Sequence, residues 1–159
     1  MNDFPRPLKI VTLWLLIGGA LFLAVQAWQA EQQRARFTVD GAVIELRRSP
    51  DGHFHWPGRV NGVAVDFLVD TGATRTALPL ALAERAGLQP EGAVSSATAG
   101  VVVQGLSSRA DVALDGGVQA ERLRVTVLPA LASPLLGMDL LSRLHFTQRG
   151  DVLRLEPPR

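Results

Sequence analysis

The chain has 159 residues, with 16 basic and 15 acidic side chains and a formal net charge of +1. That balance leaves no electrostatic footprint for nucleic acid. The absence of cysteine excludes disulfides, thiol catalysis and cysteine-based zinc sites, while 15 glycines and 10 prolines suit a turn-rich β protein.

Residues 1–9 form a short tail ahead of an uncharged run at residues 10–30. At about 1.5 Å per residue, that run spans a hydrocarbon core of about 30 Å. Trp14 and Trp28 sit near its two ends, where interfacial aromatics belong. The segment therefore reads as a single transmembrane anchor. Arg6 and Lys9 precede it, and Arg34 and Arg36 follow it, so the charge asymmetry is small. The short tail favours an N-terminus inside and a domain on the periplasmic or extracytoplasmic side. Val25-Gln26-Ala27 offers a small-residue cleavage site, so a cleaved signal peptide is the rival reading. The apolar run is longer than a usual signal core, which favours an uncleaved anchor. Residues 31–36 are polar and read as a linker, which leaves residues 37–159 as the domain.

Residues 36–46 read as two short strands around a turn, and residues 47–51 as a connection containing Pro50. In His53-Phe54-His55-Trp56 the alternation puts both histidines on one strand face. A zinc site would need further ligands, and His145 is the only other histidine, so an exposed face is the expectation and no metal is assigned. Val60-Asn61-Gly62-Val63 is a two-residue hairpin signal. It feeds a strand at residues 63–69 into Asp70.

That strand ends in Phe67-Leu68-Val69-Asp70-Thr71-Gly72-Ala73-Thr74, the one Asp-Thr-Gly in the chain. Asp, Thr and Gly are also turn residues, so the tripeptide alone is compatible with a plain turn. A plain turn does not require the apolar run before it or Ala73-Thr74 after it. Asp-Thr-Gly at the end of a buried strand is the signature of aspartic protease sites. Two such carboxylates share one proton; the charged partner activates water, and the protonated one donates to the substrate carbonyl. Thr71 would orient the loop, Gly72 would permit close backbone approach, and Ala73 would line the cleft floor. A single copy implies half a site and a homodimer.

Residues 78–86 have helical composition, with Pro79 in the first turn and Gly87 as a stop. Residues 94–106 read as a flap with its tip at Thr98-Ala99-Gly100, although an ordinary surface hairpin has the same composition. Further strands are expected at residues 111–114, 117–118 and 123–128, around Asp115-Gly116-Gly117. Pro134-Leu135-Leu136-Gly137-Met138-Asp139 then leads into a short helix, a strand near Phe146 and a terminal strand at residues 151–155. Asp139 reads as a helix-start residue near the positive end of the dipole, not as a second catalytic acid.

Together, residues 67–74 and 135–144 make the chain resemble retroviral-type aspartic proteases, and in particular the bacterial membrane-anchored single-lobe group. Gly52-His53-Phe54 and Val60-Asn61-Gly62 look like the upstream hairpin of that group. The tip departs from it, with Thr98-Ala99-Gly100 where the family usually has Ala-Asn-Gly. The resemblance implies that Leu135, Leu136 and Gly137 pack beneath the Asp-Thr-Gly loop. It implies an all-β, retropepsin-like single-lobe acid protease barrel with one short C-terminal helix, behind one membrane helix. It also implies a homodimeric aspartic endopeptidase acting on peptide or protein substrates through Asp70 of each chain, without a cofactor. The alternative is a non-catalytic dimeric binding or regulatory domain of the same fold.

Overall fold

The computed structural model describes residues 6–34, 37–40, 43–98 and 101–156. The chain divides into two units, Met1–Ala35 and Arg36–Arg159. The first holds α1, Arg6–Arg34, so residues 31–34 of the polar stretch continue the helix. Its segment Ile10–Ala27 is long and apolar enough to cross a membrane, and none of it is buried by protein.

The second unit is mostly β. Strands β1 (Phe37–Asp40) and β2 (Val43–Arg47) form an antiparallel pair near its start. Strands β3 (His55–Val60) and β4 (Val63–Val69) form a hairpin closed by Val60↔Val63. Asn61 and Gly62 make its turn at φ 46° and 84°, the left-handed pair that matches strand twist. Then follow β5 (Ala77–Pro79), helix α2 (Leu80–Arg85), β6 (Gly92–Thr98), β7 (Val101–Leu114) and β8 (Val118–Leu128). The chain closes with β9 (Leu135–Leu136), helix α3 (Met138–Leu141), β10 (His145–Arg149) and β11 (Val152–Glu156).

Two sheets result. One has the order β1-β2-β11-β10, and the other the order β3-β4-β9-β5-β8-β7-β6. The larger sheet returns on itself, because β3 also pairs with β7 through Gly58↔Leu114 and Val60↔Val112. That closure needs glycine at position 58: a Cβ there would stand 2.6 Å from the Ala113 carbonyl oxygen. Alternation sends one side of each half-buried strand inward. Ile44 and Leu46 of β2, Trp56 of β3, Phe67 of β4, Leu136 of β9 and Leu155 of β11 are at most 1% exposed and share one core. Burying each such side chain contributes about 1.5–3 kcal/mol. Trp56 also donates its indole N–H to the Asp115 carbonyl at 2.8 Å, so its polar edge is satisfied.

The structure departs from the sequence reading in four places. The helix expected over residues 78–86 starts at Leu80, because Leu78 is fully buried in a strand pairing with β8 and β9. A buried sheet position outweighs helical composition. Residues 111–114 are not a separate strand but the end of β7, and residues 118–128 are one strand. Their interruption is a register shift between Ala110 and Val112, opposite Arg122 at φ 49°. The Asp111 carboxylate fixes it by accepting the Arg122 N–H at 2.8 Å.

His55 does not lie on an open face. Its ring is 16% exposed, with Nε2 2.8 Å from the Asp51 carboxylate and Nδ1 3.5 Å from that of Asp66. His53 precedes the strand and is exposed. The β6–β7 hairpin runs in register to Thr98↔Val101, and the tip residues Ala99 and Gly100 lie outside the described residues.

Candidate active site

The apolar strand β4 ends at Val69 and delivers Asp70 to the rim of the larger sheet. Short β9 lies parallel to its last residues, pairing Leu68↔Leu135 and Val69↔Leu136. Three successive amides are fixed there. Leu68 N–H donates to the Pro134 carbonyl at 2.9 Å, Val69 N–H to Phe54 at 2.9 Å, and Asp70 N–H to Leu136 at 3.0 Å. Leu136 is fully buried beneath this junction. The backbone carrying the carboxylate is therefore held from both sides.

The loop then folds over its own acid. Gly72 N–H donates to Asp70 Oδ1 at 2.9 Å, and Ala73 N–H donates to the Asp70 carbonyl at 3.2 Å. A Cβ on residue 72 would sit 3.2 Å from that carboxylate oxygen, so glycine leaves room for the contact. Asp70 and Ala73 are half-buried, whereas Thr71, Gly72 and Thr74 are exposed. The carboxylate is thus oriented by a backbone donor while its loop stays open to a partner.

A second segment clamps the loop from below. Met138 N–H donates to the Ala73 carbonyl at 2.8 Å. Gly137 passes so close that a Cβ would lie 2.4 Å from the Arg75 carbonyl carbon. Asp139 accepts the Thr76 N–H with both oxygens at 3.0 Å and the Thr76 hydroxyl at 2.9 Å. The Thr76 hydroxyl in turn accepts the Gly137 N–H at 3.3 Å. Asp139 does open α3, but its carboxylate is engaged by Thr76, which turns a helix-start residue into a tether of the candidate site. Thr76, fully buried, went unnoticed in the sequence. The available signal was a hydroxyl residue in Arg75-Thr76-Ala77-Leu78, where the chain enters an apolar run.

Thr98 ends β6, its side chain is outside the described residues, and Ala99 and Gly100 lie outside them altogether. Among the described residues, no group of three or more His, Cys, Asp or Glu side chains is arranged to hold a metal.

The sequence model of the family described as gag-polyprotein putative aspartyl protease matches residues 56–143. That interval runs from β3 through the Asp70 loop to just past α3. The chain belongs to this aspartyl protease family. The family's match ends one residue short of Leu144 and leaves α1, β1, β2, β10 and β11 outside it. An uncharacterized protein from the cobV 5′ region of Sinorhizobium sp is 34% identical over 176 residues, covering 97% of this chain and 75% of its own length. The crystal structure of a retropepsin-like aspartic protease from Rickettsia conorii is 28% identical. It matches 76% of this chain and 95% of its own, with a TM-score of 0.59. The retropepsin-like aspartic protease fold of this family member therefore rests on sequence and on architecture together.

Proposed function

We propose that this chain is an aspartic endopeptidase that works as a homodimer, with Asp70 of each copy forming a two-carboxylate site. The observation that carries the reading is the Asp70 loop itself. A half-buried carboxylate sits at the end of strand β4, is oriented by the Gly72 N–H, and is fixed through Leu136. The chain has one such loop, and its best-placed second acid, Asp139, is already held by Thr76.

Two Asp70 carboxylates brought face to face share one proton, since like charges at that range do not both ionise. The ionised member takes a proton from a water as it attacks the peptide carbonyl, and the protonated member donates to the carbonyl oxygen. The pair titrates as a unit. Thr71 shapes the loop, Gly72 allows its close turn, and Ala73 and Thr74 border the cleft. Leu135, Leu136 and Gly137 support it, and the β6–β7 hairpin with its tip at 98–100 covers it as a flap. The substrate is a peptide or protein, and the chemistry needs no metal or organic cofactor.

α1 anchors the enzyme in a membrane with Arg6 and Lys9 on the inner side, which puts the protease domain on the extracytoplasmic side. The deciding experiment exposes full-length protein in detergent to an unbiased peptide library, wild type beside Asp70→Asn. Cleavage by the wild type alone supports the reading. Folded, dimeric protein that never cleaves a peptide indicates a binding domain instead.

A further inference from the structure

His55 stands between two carboxylates on the strand beside the one that delivers Asp70. Its Nε2 is 2.8 Å from Asp51 Oδ2, and its Nδ1 is 3.5 Å from Asp66 Oδ2. Asp51 belongs to the turn before β3, and Asp66 to β4. His55 pairs with Leu68 across the hairpin, so Asp66 is its diagonal neighbour on the same face.

A neutral imidazole carries one N–H and one lone pair, whereas an ionised carboxylate only accepts. With a single ring proton, one of the two carboxylates would face a lone pair. The ring is the most enclosed of the three side chains, so little water screens that repulsion. The arrangement is attractive on both sides only when both ring nitrogens carry protons. Other charged groups packed around β3 are engaged elsewhere. Arg48 meets Asp151 at 3.1 Å, Arg59 donates to the Gly62 carbonyl at 3.2 Å, and Asp111 accepts the Arg122 N–H. His53 lies in the same turn as Asp51 and gives its backbone N–H to Asp51 Oδ1 at 3.0 Å. Asp115, on the turn after β7, meets β3 through its backbone, donating its N–H to the Pro57 carbonyl at 2.9 Å.

The cluster bears on Asp70 through the main chain. The His53 carbonyl accepts the Ser49 N–H at 2.7 Å, so Asp51 and His53 together close the turn. The next residue, Phe54, accepts the Val69 N–H at 2.9 Å, and Val69 immediately precedes Asp70. Asp51, His55 and Asp66 therefore tie the turn to β4 beside the peptide group that fixes Val69.

We propose that His55 is a positioning residue for Asp70 and that it acts as an imidazolium. Doubly protonated, it locks the turn at residues 49–53 to β4 and keeps the Phe54 carbonyl on the Val69 amide. When one ring proton leaves, a lone pair meets a carboxylate, the lock loosens, and Asp70 loses one of the amides that fix its approach. The effect on cleavage rests on the endopeptidase reading above; the lock itself does not.

The test follows amide hydrogen exchange and peptide cleavage by full-length protein in detergent across about pH 5 to 8, where histidine changes charge. Exchange is expressed as protection relative to an unstructured amide, which removes its intrinsic pH dependence. In the wild type, Val69 protection should fall at least about tenfold as pH rises. Thr126, whose N–H donates to the Thr76 carbonyl at 3.0 Å, should keep constant protection. Asp66→Asn puts an amide opposite the ring, and an amide can donate to a lone pair. It should hold Val69 protection level over the whole range. His55→Gln, which never charges, should show low protection at every pH. Both Asp70 carboxylates titrate alike in wild type and Asp66→Asn, so cleavage is read as the ratio of the two. That ratio should climb with pH at least about tenfold, the scale on which a misplaced reacting group loses rate. If Asp66→Asn fails to fold, wild type beside His55→Gln still decides. Constant Val69 protection in the wild type, or an equal fall in Asp66→Asn or His55→Gln, overturns the lock. The expected protection with a flat cleavage ratio overturns the link to Asp70. Protein that cleaves no peptide at any pH, yet loses Val69 protection as described, supports the lock and overturns the endopeptidase reading.

Discussion

Thr76 and Asp139 are 63 positions apart in sequence, yet both Asp139 carboxylate oxygens lie 3.0 Å from the Thr76 nitrogen and one lies 2.9 Å from its hydroxyl. This contact joins the strand leaving the Asp70 loop to the helix that follows the Leu-Leu-Gly segment. Beside it, Asp70 and Leu136 share a backbone hydrogen bond, as do Ala73 and Met138. The candidate site is a loop held at three points by one short segment.

Asp139→Ala should destabilise the domain by about 2–3 kcal/mol, because it strands the buried Thr76 donors without their charged acceptor. Asp139→Asn keeps one carbonyl oxygen and should lose less than half of that. Chemical denaturation of the three proteins measures the order. Equal midpoints for wild type and Asp139→Ala would show that the tether carries no stability.

Gly137→Ala should be more severe. The new methyl group would stand 2.4 Å from the Arg75 carbonyl carbon, which is backbone and has nowhere to go. Overpacking of this kind costs about 3 kcal/mol. The expected readout is a lowered thermal midpoint together with weakened peptide cleavage. Gly92→Ala is the control, since a Cβ there meets nothing within 4 Å.

Asp70→Asn should abolish peptide cleavage and leave the fold intact, since Asn is nearly isosteric but cannot share the proton. Excess Asp70→Asn mixed with wild type should also suppress activity after subunit exchange, because each mixed dimer holds one ionisable partner. Specific activity should fall on dilution through the dimer dissociation constant, a loss that a membrane anchor would counter by raising effective concentration. Constant activity per chain, indifferent to the mutant, would point to a monomeric enzyme.

The Asp51 carboxyl is held below its ordinary value of 3.8, first by the His53 backbone N–H and then by the His55 side chain. A carboxyl with a depressed folded-state pKa adds stability that is fully present above its unfolded value. That stability is lost as pH falls through the folded value. Asp51→Asn should therefore lower the thermal midpoint at neutral pH. The gap to wild type should start to close as pH drops below about 4, the ordinary carboxylate range. A gap that is the same at neutral pH and well below that range would assign the effect to something other than this charge.

Full-length protein should stay with membranes through a carbonate wash, at its unprocessed mass, because residues 10–30 are uncharged and long enough to span a bilayer core. Release of a soluble product beginning near Trp28 would instead identify the segment as a signal peptide.

The sequence alone determined the features whose causes are local. Asn61-Gly62 dictates the β3–β4 hairpin because that pair accepts two left-handed residues in a row. The apolar run Phe67-Leu68-Val69 leads into Asp70 as the end of a strand because β-favouring residues are written into neighbouring positions. An uncharged run long enough to span a bilayer is legible in the same way. What only the tertiary structure decided depends on partners far away in the chain. Leu78 and Pro79 are in a strand because β8 supplies an edge for them, which composition does not reveal. His55 is half-buried because Asp51 and Asp66 reach it from a turn and from the adjacent strand. Thr76 is invisible until Asp139 arrives 63 residues later. The bareness of β10 emerges only when the core beneath β2 and β11 stops short of it. Backbone preference and burial period act over a few residues, whereas hydrogen-bond satisfaction and covering surface are settled by whatever the fold brings alongside.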